Sequence, residues 1–277
     1  MNKLFIHIGP PKTGTTSFQY WLSNQTIEGY CYEGVIQPRS IEPVKLSNIL
    51  ASNISTDSEK ILVSRIEELI EYNSIIISEE LLSVTYDRNE WEGHLNNIYR
   101  VVSKFEPIII ITVRNPNEVI RSYYQQVYHR LDPKLKRDIN WFADSDWCNC
   151  FNYSFLSSNL SKFGFTNIKY IDFTKLVSGR YKFNDIFEGS DKRNILLSKE
   201  NISLKKGANI LSIKKVSLKR TIADTLPKRL VVIFRRNALL VSLPDIHFHK
   251  KIFKKQLNLN VNEEFQDSYK TSLNRCI

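Results

Sequence analysis

Hydrophobic and polar positions along the chain fall into two alternating patterns. Short apolar runs occur at 3–8, 74–78 and 107–113, and a mixed run, Asn167-Ile168-Lys169-Tyr170-Ile171-Asp172, follows. Runs of this kind mark strands covered on both faces. Between them lie longer stretches, at 57–72, 90–104, 116–130 and 147–163, in which apolar residues recur every three or four positions. In the first of these, Ile61, Leu62, Ile66, Leu69 and Ile70 fall on one helical stripe, and Asp57 suits its N-cap. Strands alternating with helices predict an α/β fold: a P-loop-like parallel sheet flanked by helices on both faces. At 277 residues the chain is long enough for one large core of this type. Residues 1–200 are read as that core. Residues 201–277 are read as a basic, mostly helical C-terminal region of the same domain.

The connection after the first strand carries the most chemistry. It reads Ile6-His7-Ile8-Gly9-Pro10-Pro11-Lys12-Thr13-Gly14-Thr15-Thr16, and a helix follows from Ser17. A strand, a glycine-bearing loop and a helix start together make a phosphate cradle. The glycines let backbone N–H groups turn inward, and the helix start adds about +0.5 of a charge. The loop departs from the Walker pattern G-x-x-x-x-G-K-[ST] at the position that matters. Its lysine, Lys12, precedes the second glycine, and Thr15 stands where the nucleotide-binding lysine belongs. The loop therefore reads as a phosphate site other than an ordinary ATP or GTP site.

A second constellation follows the run Pro107 to Val113: Arg114-Asn115-Pro116, then Arg121-Ser122-Tyr123-Tyr124. Arg114 falls at the carboxyl end of a buried strand, where open α/β sheets bind ligands. Pro116 suits the first turn of the next helix, which carries Ser122 on a later turn. Arginine offers a two-pronged charged donor and serine a neutral one, so the pair suits an anion approached from two sides.

Taken together, P-K-T-G-T-T near the N-terminus and R-x-P-x-x-x-x-x-S after a buried strand resemble the sulfotransferases that use 3′-phosphoadenosine 5′-phosphosulfate (PAPS). The form H-I-G-P-P-K-T-G-T-T-S-F-Q looks most like bacterial carbohydrate-type members. The motif-bearing resemblance spans about residues 3–175. It implies that Lys12, Thr13, Gly14, Thr15 and Thr16 hold the 5′-phosphosulfate and that Arg114 and Ser122 hold the 3′-phosphate. It also implies in-line sulfuryl transfer to an acceptor hydroxyl, with Lys12, the loop N–H groups and the threonine hydroxyls neutralising the leaving phosphate and with no metal required. The acceptor it favours is a sugar hydroxyl of a bacterial surface polysaccharide or glycolipid precursor, anionic or neutral.

Sulfuryl transfer is helped by a base that takes the acceptor proton. The strand Ser74 to Ser78 ends in Glu79-Glu80. Because adjacent strand residues point to opposite faces, one of the two carboxylates is expected to enter the cleft. The resemblance assigns this base to Glu80. Glu79 is the alternative, as is an acidic helix start that meets the helix dipole. His7, just before the loop, reads as a packed strand histidine, with contact to the phosphosulfate as its alternative. His94, His129, His247 and His249 lie in polar or basic stretches, and no spacing in the chain matches a metal site.

Cys31, Cys148, Cys150 and Cys276 are too few and too scattered for a disulfide framework, which fits reduced thiols and a cytoplasmic location. Neither a signal peptide nor a membrane-spanning apolar run is evident. The net charge is +10, yet residues 205–255 hold fourteen Lys and Arg against Asp224 and Asp245, so the rest of the chain is slightly acidic. This basic stretch fits a solvated face, a dock for an anionic glycan, or peripheral contact with an anionic inner-membrane surface. No recognised motif supports nucleic-acid binding. Lys205-Lys206-Gly207 faintly resembles a basic loop that closes over the 3′-phosphate in the family. Two other readings compete with a sulfotransferase. One is a P-loop nucleotide kinase or other NTPase, and the other is a non-catalytic glycan- or membrane-binding protein with a degenerate cradle.

Overall fold

A computed structural model describes residues 2–36, 46, 56–84, 88–197 and 258–277, together with four two-residue strands between 210 and 256. The chain divides into two compact units, 1–205 with 259–277, and 206–258.

In the first unit the elements run β1 (Leu4–His7), α1 (Thr15–Ser23), β2 (Tyr30–Tyr32), α2 (Thr56–Tyr72), β3 (Ser74–Ser78), α3 (Arg88–Val102), β4 (Ile108–Val113) and α4 (Pro116–Val127). They continue through α5 (Pro133–Arg137), α6 (Ile139–Ala143), α7 (Tyr153–Lys162), β5 (Ile168–Asp172), α8 (Phe173–Val177) and α9 (Phe183–Ile186). The five strands form one parallel sheet in the order β2-β3-β1-β4-β5. The α/β class with helices on both faces, expected from the sequence, is what the structure has.

Every residue of β1, β3 and β4 is buried. Alternate side chains supply two cores. Leu4, Ile6, Ile75, Ile77, Ile109 and Ile111 meet Leu62 and Ile66 of α2, Ile98 and Val102 of α3 and Leu156 and Leu160 of α7. Phe5, Ile76, Ile108 and Ile110 meet Phe18 and Leu22 of α1 and Phe183 and Ile186 of α9 on the other face. Each buried aliphatic side chain contributes about 1.5–3 kcal/mol of transfer free energy, so the two-sided sheet holds the frame of the molecule.

Several helix limits differ from those the periodicity predicts. Asp57 lies inside the first turn of α2, where it meets the helix dipole without capping it. The stretch 147–163 divides in two: a 3-10 segment, Asp146–Phe151, precedes α7. The break falls at Asn152, whose side chain accepts the Phe155 N–H (3.1 Å) and so starts a new helix. The stretch 116–130 stays α-helical only to Val127 before a 3-10 turn. β2 escapes the sequence reading because it is three half-buried residues at the sheet edge.

The chain from Leu259 onward rejoins the first unit. Its helix, Glu263–Leu273, packs along α7: Ser154 N–H donates to Ser268 Oγ (2.7 Å), and Asn152 Nδ2 donates to Glu264 Oε1 (2.7 Å). In the unit 206–258, β6 (Ile210–Leu211) pairs antiparallel with β9 (Lys255–Gln256), and β7 (Val216–Ser217) with β8 (His247–Phe248). Of the mostly helical region expected over 201–277, the described residues show one helix, Glu263–Leu273, within the first unit, and short antiparallel strands within 206–258. The basic pairs from Lys205-Lys206 to Lys250-Lys251, and Lys205-Lys206-Gly207, lie outside the described residues. No helix among the described residues is long and apolar enough to cross a membrane.

Candidate functional site

Since β1, β3, β4 and β5 are parallel, the segments leaving their carboxyl ends gather at one edge of the sheet. Gly9 to Thr16 follows β1, Glu79-Glu80 follows β3, Arg114 follows β4 and Phe173 follows β5.

The loop after β1 is tightly closed. Thr13 donates to the Pro10 carbonyl through its backbone N–H (3.3 Å) and its hydroxyl (2.6 Å). Thr13 therefore shapes the loop with both its donors, which leaves the N–H groups at the start of α1 as the ones turned toward a ligand. Gly9 is required by close approach: a Cβ there would lie 2.2 Å from the Thr15 methyl and 2.9 Å from the His7 ring. Gly14 sits at φ +80° as the residue before α1, a conformation that favours glycine. Lys12 adopts φ +65° without being glycine, a strain of the kind found at ligand-binding loops. Thr15, Thr16 and Ser17 open α1, so their N–H groups point out of the helix end without intrahelical acceptors. Thr16 is half-buried in this first turn.

Side chains from three separate segments meet at this loop. Thr15 Oγ1 donates to Glu80 Oε2 (3.0 Å). Arg114 Nη1 donates to the Lys12 carbonyl (2.7 Å), and Arg114 Nη2 reaches Glu118 Oε2 (3.3 Å). Burial holds the Lys12 ammonium below its ordinary range, the Arg114 charge lowers it further, and Glu80 opposes both. Lys12 is therefore close enough to both Arg114 and Glu80 to sense their charges.

Arg114 is held firmly. Its backbone N–H donates to the Tyr153 hydroxyl, which in turn donates to the Arg114 carbonyl (2.8 Å each). The guanidinium lies over the Phe173 ring at 4.3 Å, within cation–π range. Phe173 also closes against Gly14, where an added Cβ would stand 3.2 Å from the ring. The Nε of Arg114 is buried with no hydrogen-bond partner among the described residues, a cost of about 1–3 kcal/mol. Ser122 lies on α4 one helical turn beyond Glu118, on the same stripe, and is half-buried. Asn115 caps this helix by accepting the Asn117 N–H (3.0 Å), and Pro116 occupies its first turn as the sequence predicts.

The two candidate carboxylates differ in setting. Glu79 is fully buried and its N–H donates to the His7 carbonyl (3.1 Å). Glu80 is partly exposed, opens a 3-10 turn and faces the start of α1. His7 is fully buried and hydrogen-bonded on both ring nitrogens, to Ser78 Oγ and Thr112 Oγ1 (2.8 Å each). It is thus a packed strand histidine, and burial holds it neutral by pulling its pKa down to about 3.

Sequence reasoning did not find Phe173, Tyr153 or the Ser78–His7–Thr112 chain. Their partners are distant in sequence, and no local spacing announces them. Among the described residues, no group of three or more His, Cys, Asp or Glu side chains is placed to hold a metal ion. His94 is described in its backbone only, His129 is exposed, and His249 lies outside the described residues. No protein-family model matches this chain, and a comparison with curated proteins likewise finds no match.

Proposed function

We propose that this chain is a PAPS-dependent sulfotransferase built on a P-loop-like sheet. The observation that carries the reading is the bond from Arg114 to the Lys12 carbonyl. It joins the two sequence elements that resemble PAPS-binding motifs, although they lie 102 positions apart. The central position of β1 between β3 and β4 supports the P-loop-like assignment, because it sets the cradle at the middle of the sheet's carboxyl edge.

In this reading the loop N–H groups, the start of α1 and the Lys12 ammonium bind the 5′-phosphosulfate. Arg114, with Ser122 beyond it on α4, takes the 3′-phosphate. An anion beside Arg114 would also relieve its dry, unpaired Nε. Glu80, oriented by the Thr15 hydroxyl, accepts the proton of the attacking hydroxyl as the sulfur–oxygen bond forms. Adenosine 3′,5′-bisphosphate leaves on the opposite side, its growing negative charge met by Lys12. A nucleotide kinase would need a lysine after Gly14 and a carboxylate placed for Mg²⁺. Thr15 and Arg114 stand at those places.

The acceptor proposed is a sugar hydroxyl of a surface polysaccharide or glycolipid precursor, met in the cytoplasm or at the inner membrane face. Incubation with ³⁵S-PAPS and lipid-linked glycan precursors tests this. Label on a glycan, lost in Lys12→Ala, is expected. Absence of label from every acceptor offered, with donor binding intact, favours the non-catalytic binding protein.

A further inference from the structure

We infer that His7 is a positioning residue that sets the cradle, the base and the 3′-phosphate arginine at fixed spacings through one hydrogen-bonded chain across three strands. The inference rests on the sulfotransferase reading of this site.

The geometry is regular. His7 on β1 stands directly opposite Ser78 on β3 in the sheet register. Its ring reaches Ser78 through Nδ1 and Thr112 of β4 through Nε2, at 2.8 Å each. Each member of the chain lies two residues before a functional element: His7 before Gly9, Ser78 before Glu80 and Thr112 before Arg114. Two residues is one pleat repeat, about 6.6 Å along a strand. The three polar side chains thus form one layer directly beneath the three segments that build the site. The imidazole is also the floor of the loop, since a Cβ on Gly9 would come within 3.0 Å of both its Cε1 and Nε2. Phe18 of α1 seals the chain from the other side, edge-on at 5.0 Å.

Packing alone does not call for this chemistry. The layer beneath, on the same face, is apolar, with Phe5, Ile76 and Ile110. Burying an imidazole and two hydroxyls costs free energy unless all are paired. Fully paired, such a chain fixes distances and directions in a way that apolar contacts do not. A neutral imidazole has one donor and one acceptor nitrogen, so it can serve both hydroxyls at once. The backbone ladder already sets the register of β1, β3 and β4, with the Glu79 N–H on the His7 carbonyl and the Ile8 N–H on the Ile110 carbonyl at their ends. The side-chain layer adds directional links at or next to the last strand positions, before the segments that must meet a phosphate from two strands.

Two substitutions divide the chain. His7→Asn places an amide near the Nδ1 position, keeping Ser78 and releasing Thr112. His7→Gln reaches the Nε2 position, keeping Thr112 and releasing Ser78. Calorimetry on the full chain with adenosine 3′,5′-bisphosphate and with 5′-AMP then reads how well Arg114 is placed. In His7→Asn the preference for the bisphosphate should fall about fivefold or more, the loss of roughly one hydrogen bond's worth of placement, with 5′-AMP affinity within about twofold of wild type. His7→Gln should keep the preference. Thr112→Val, which removes the same link from the other end, should match His7→Asn, and Thr112→Ser should restore it. This second pair decides the matter should the histidine variants fold poorly. Equal preference in wild type, His7→Asn and Thr112→Val overturns the positioning role. So does an equal loss in His7→Asn and His7→Gln, which would mark His7 as packing alone. A wild-type protein that does not prefer the bisphosphate at all overturns the sulfotransferase reading itself, and this inference with it.

Discussion

Thr15, the first residue of α1, donates its hydroxyl to the carboxylate of Glu80, 65 positions later, at 3.0 Å. Its methyl group meanwhile packs toward Gly9, where even a Cβ would collide with it at 2.2 Å. Thr15 is therefore wedged between the loop and the carboxylate. One Glu80 oxygen is committed to that bond, which fixes the direction in which the carboxylate faces the cradle.

Glu80→Gln keeps the volume and can still accept from Thr15, but it cannot take a proton. The maximal rate of label transfer from PAPS should fall about 10²–10⁴-fold with little change in bisphosphate affinity. Glu79→Gln, at a fully buried site, should affect stability more than rate. A larger rate loss in Glu79→Gln would move the base by one residue.

Arg114→Ala removes a charged donor worth about 1.5–3 kcal/mol per bond. Calorimetry should show adenosine 3′,5′-bisphosphate weakened about tenfold or more, the effect of a single such bond. Because Arg114 also steadies the Lys12 carbonyl, 5′-AMP should weaken slightly as well. Equal losses for the two ligands would mean that Arg114 does not read the 3′-phosphate.

Lys12 carries both its ammonium and a left-handed backbone, φ +65°. Lys12→Gly should relieve strain of about 1–3 kcal/mol, so the chemical denaturation midpoint rises. Turnover should nonetheless fall about 10²–10³-fold, because the stabiliser of the leaving phosphate is gone. Lys12→Ala should show the rate loss without the gain in stability. Near-normal turnover in either variant would confine the loop to anchoring the donor.

The buried His7 makes stability depend on pH. Its pKa is about 3 in the folded protein and about 6.5 in an unfolded chain. Below about pH 6.5 the unfolded chain takes up a proton that the folded protein refuses. Stability is therefore fully present above that pH and declines as pH falls toward 3, by about 1.4 kcal/mol per unit. Urea unfolding at pH 7 and pH 5.5 should show wild type losing about 1.4 kcal/mol more than His7→Gln. Parallel losses in the two proteins would show that His7 is protonated in the fold.

The legible part of the structure is the part specified locally. The apolar runs at 74–78 and 107–113 read as buried strands, and Pro116 announces the first turn of α4. The loop from Gly9 to Thr16 stands out because two glycines, a lysine and three threonines fall within eight residues. Relationships across the sheet were not recognisable. His7 meets Ser78 and Thr112 at separations of 71 and 105 positions, and Arg114 meets Phe173 only because β4 and β5 are neighbours. The split at Asn152 was missed for a local reason: the apolar spacing continues through it, while one side-chain cap starts a new helix there. The hydroxyl of Thr13, expected at the phosphosulfate, is instead bonded to Pro10, a use that sequence order does not distinguish from ligand binding.

A sulfotransferase of this kind takes a donor nucleotide that carries a 3′-phosphate. Titration calorimetry of the wild-type chain with adenosine 3′,5′-bisphosphate, and separately with ATP and Mg²⁺, tests it most directly. The bisphosphate should bind tightly without a metal, and ATP should bind more weakly by about tenfold or more, the worth of one charge-assisted bond to the 3′-phosphate. Binding of ATP–Mg²⁺ that equals or exceeds that of the bisphosphate would contradict it.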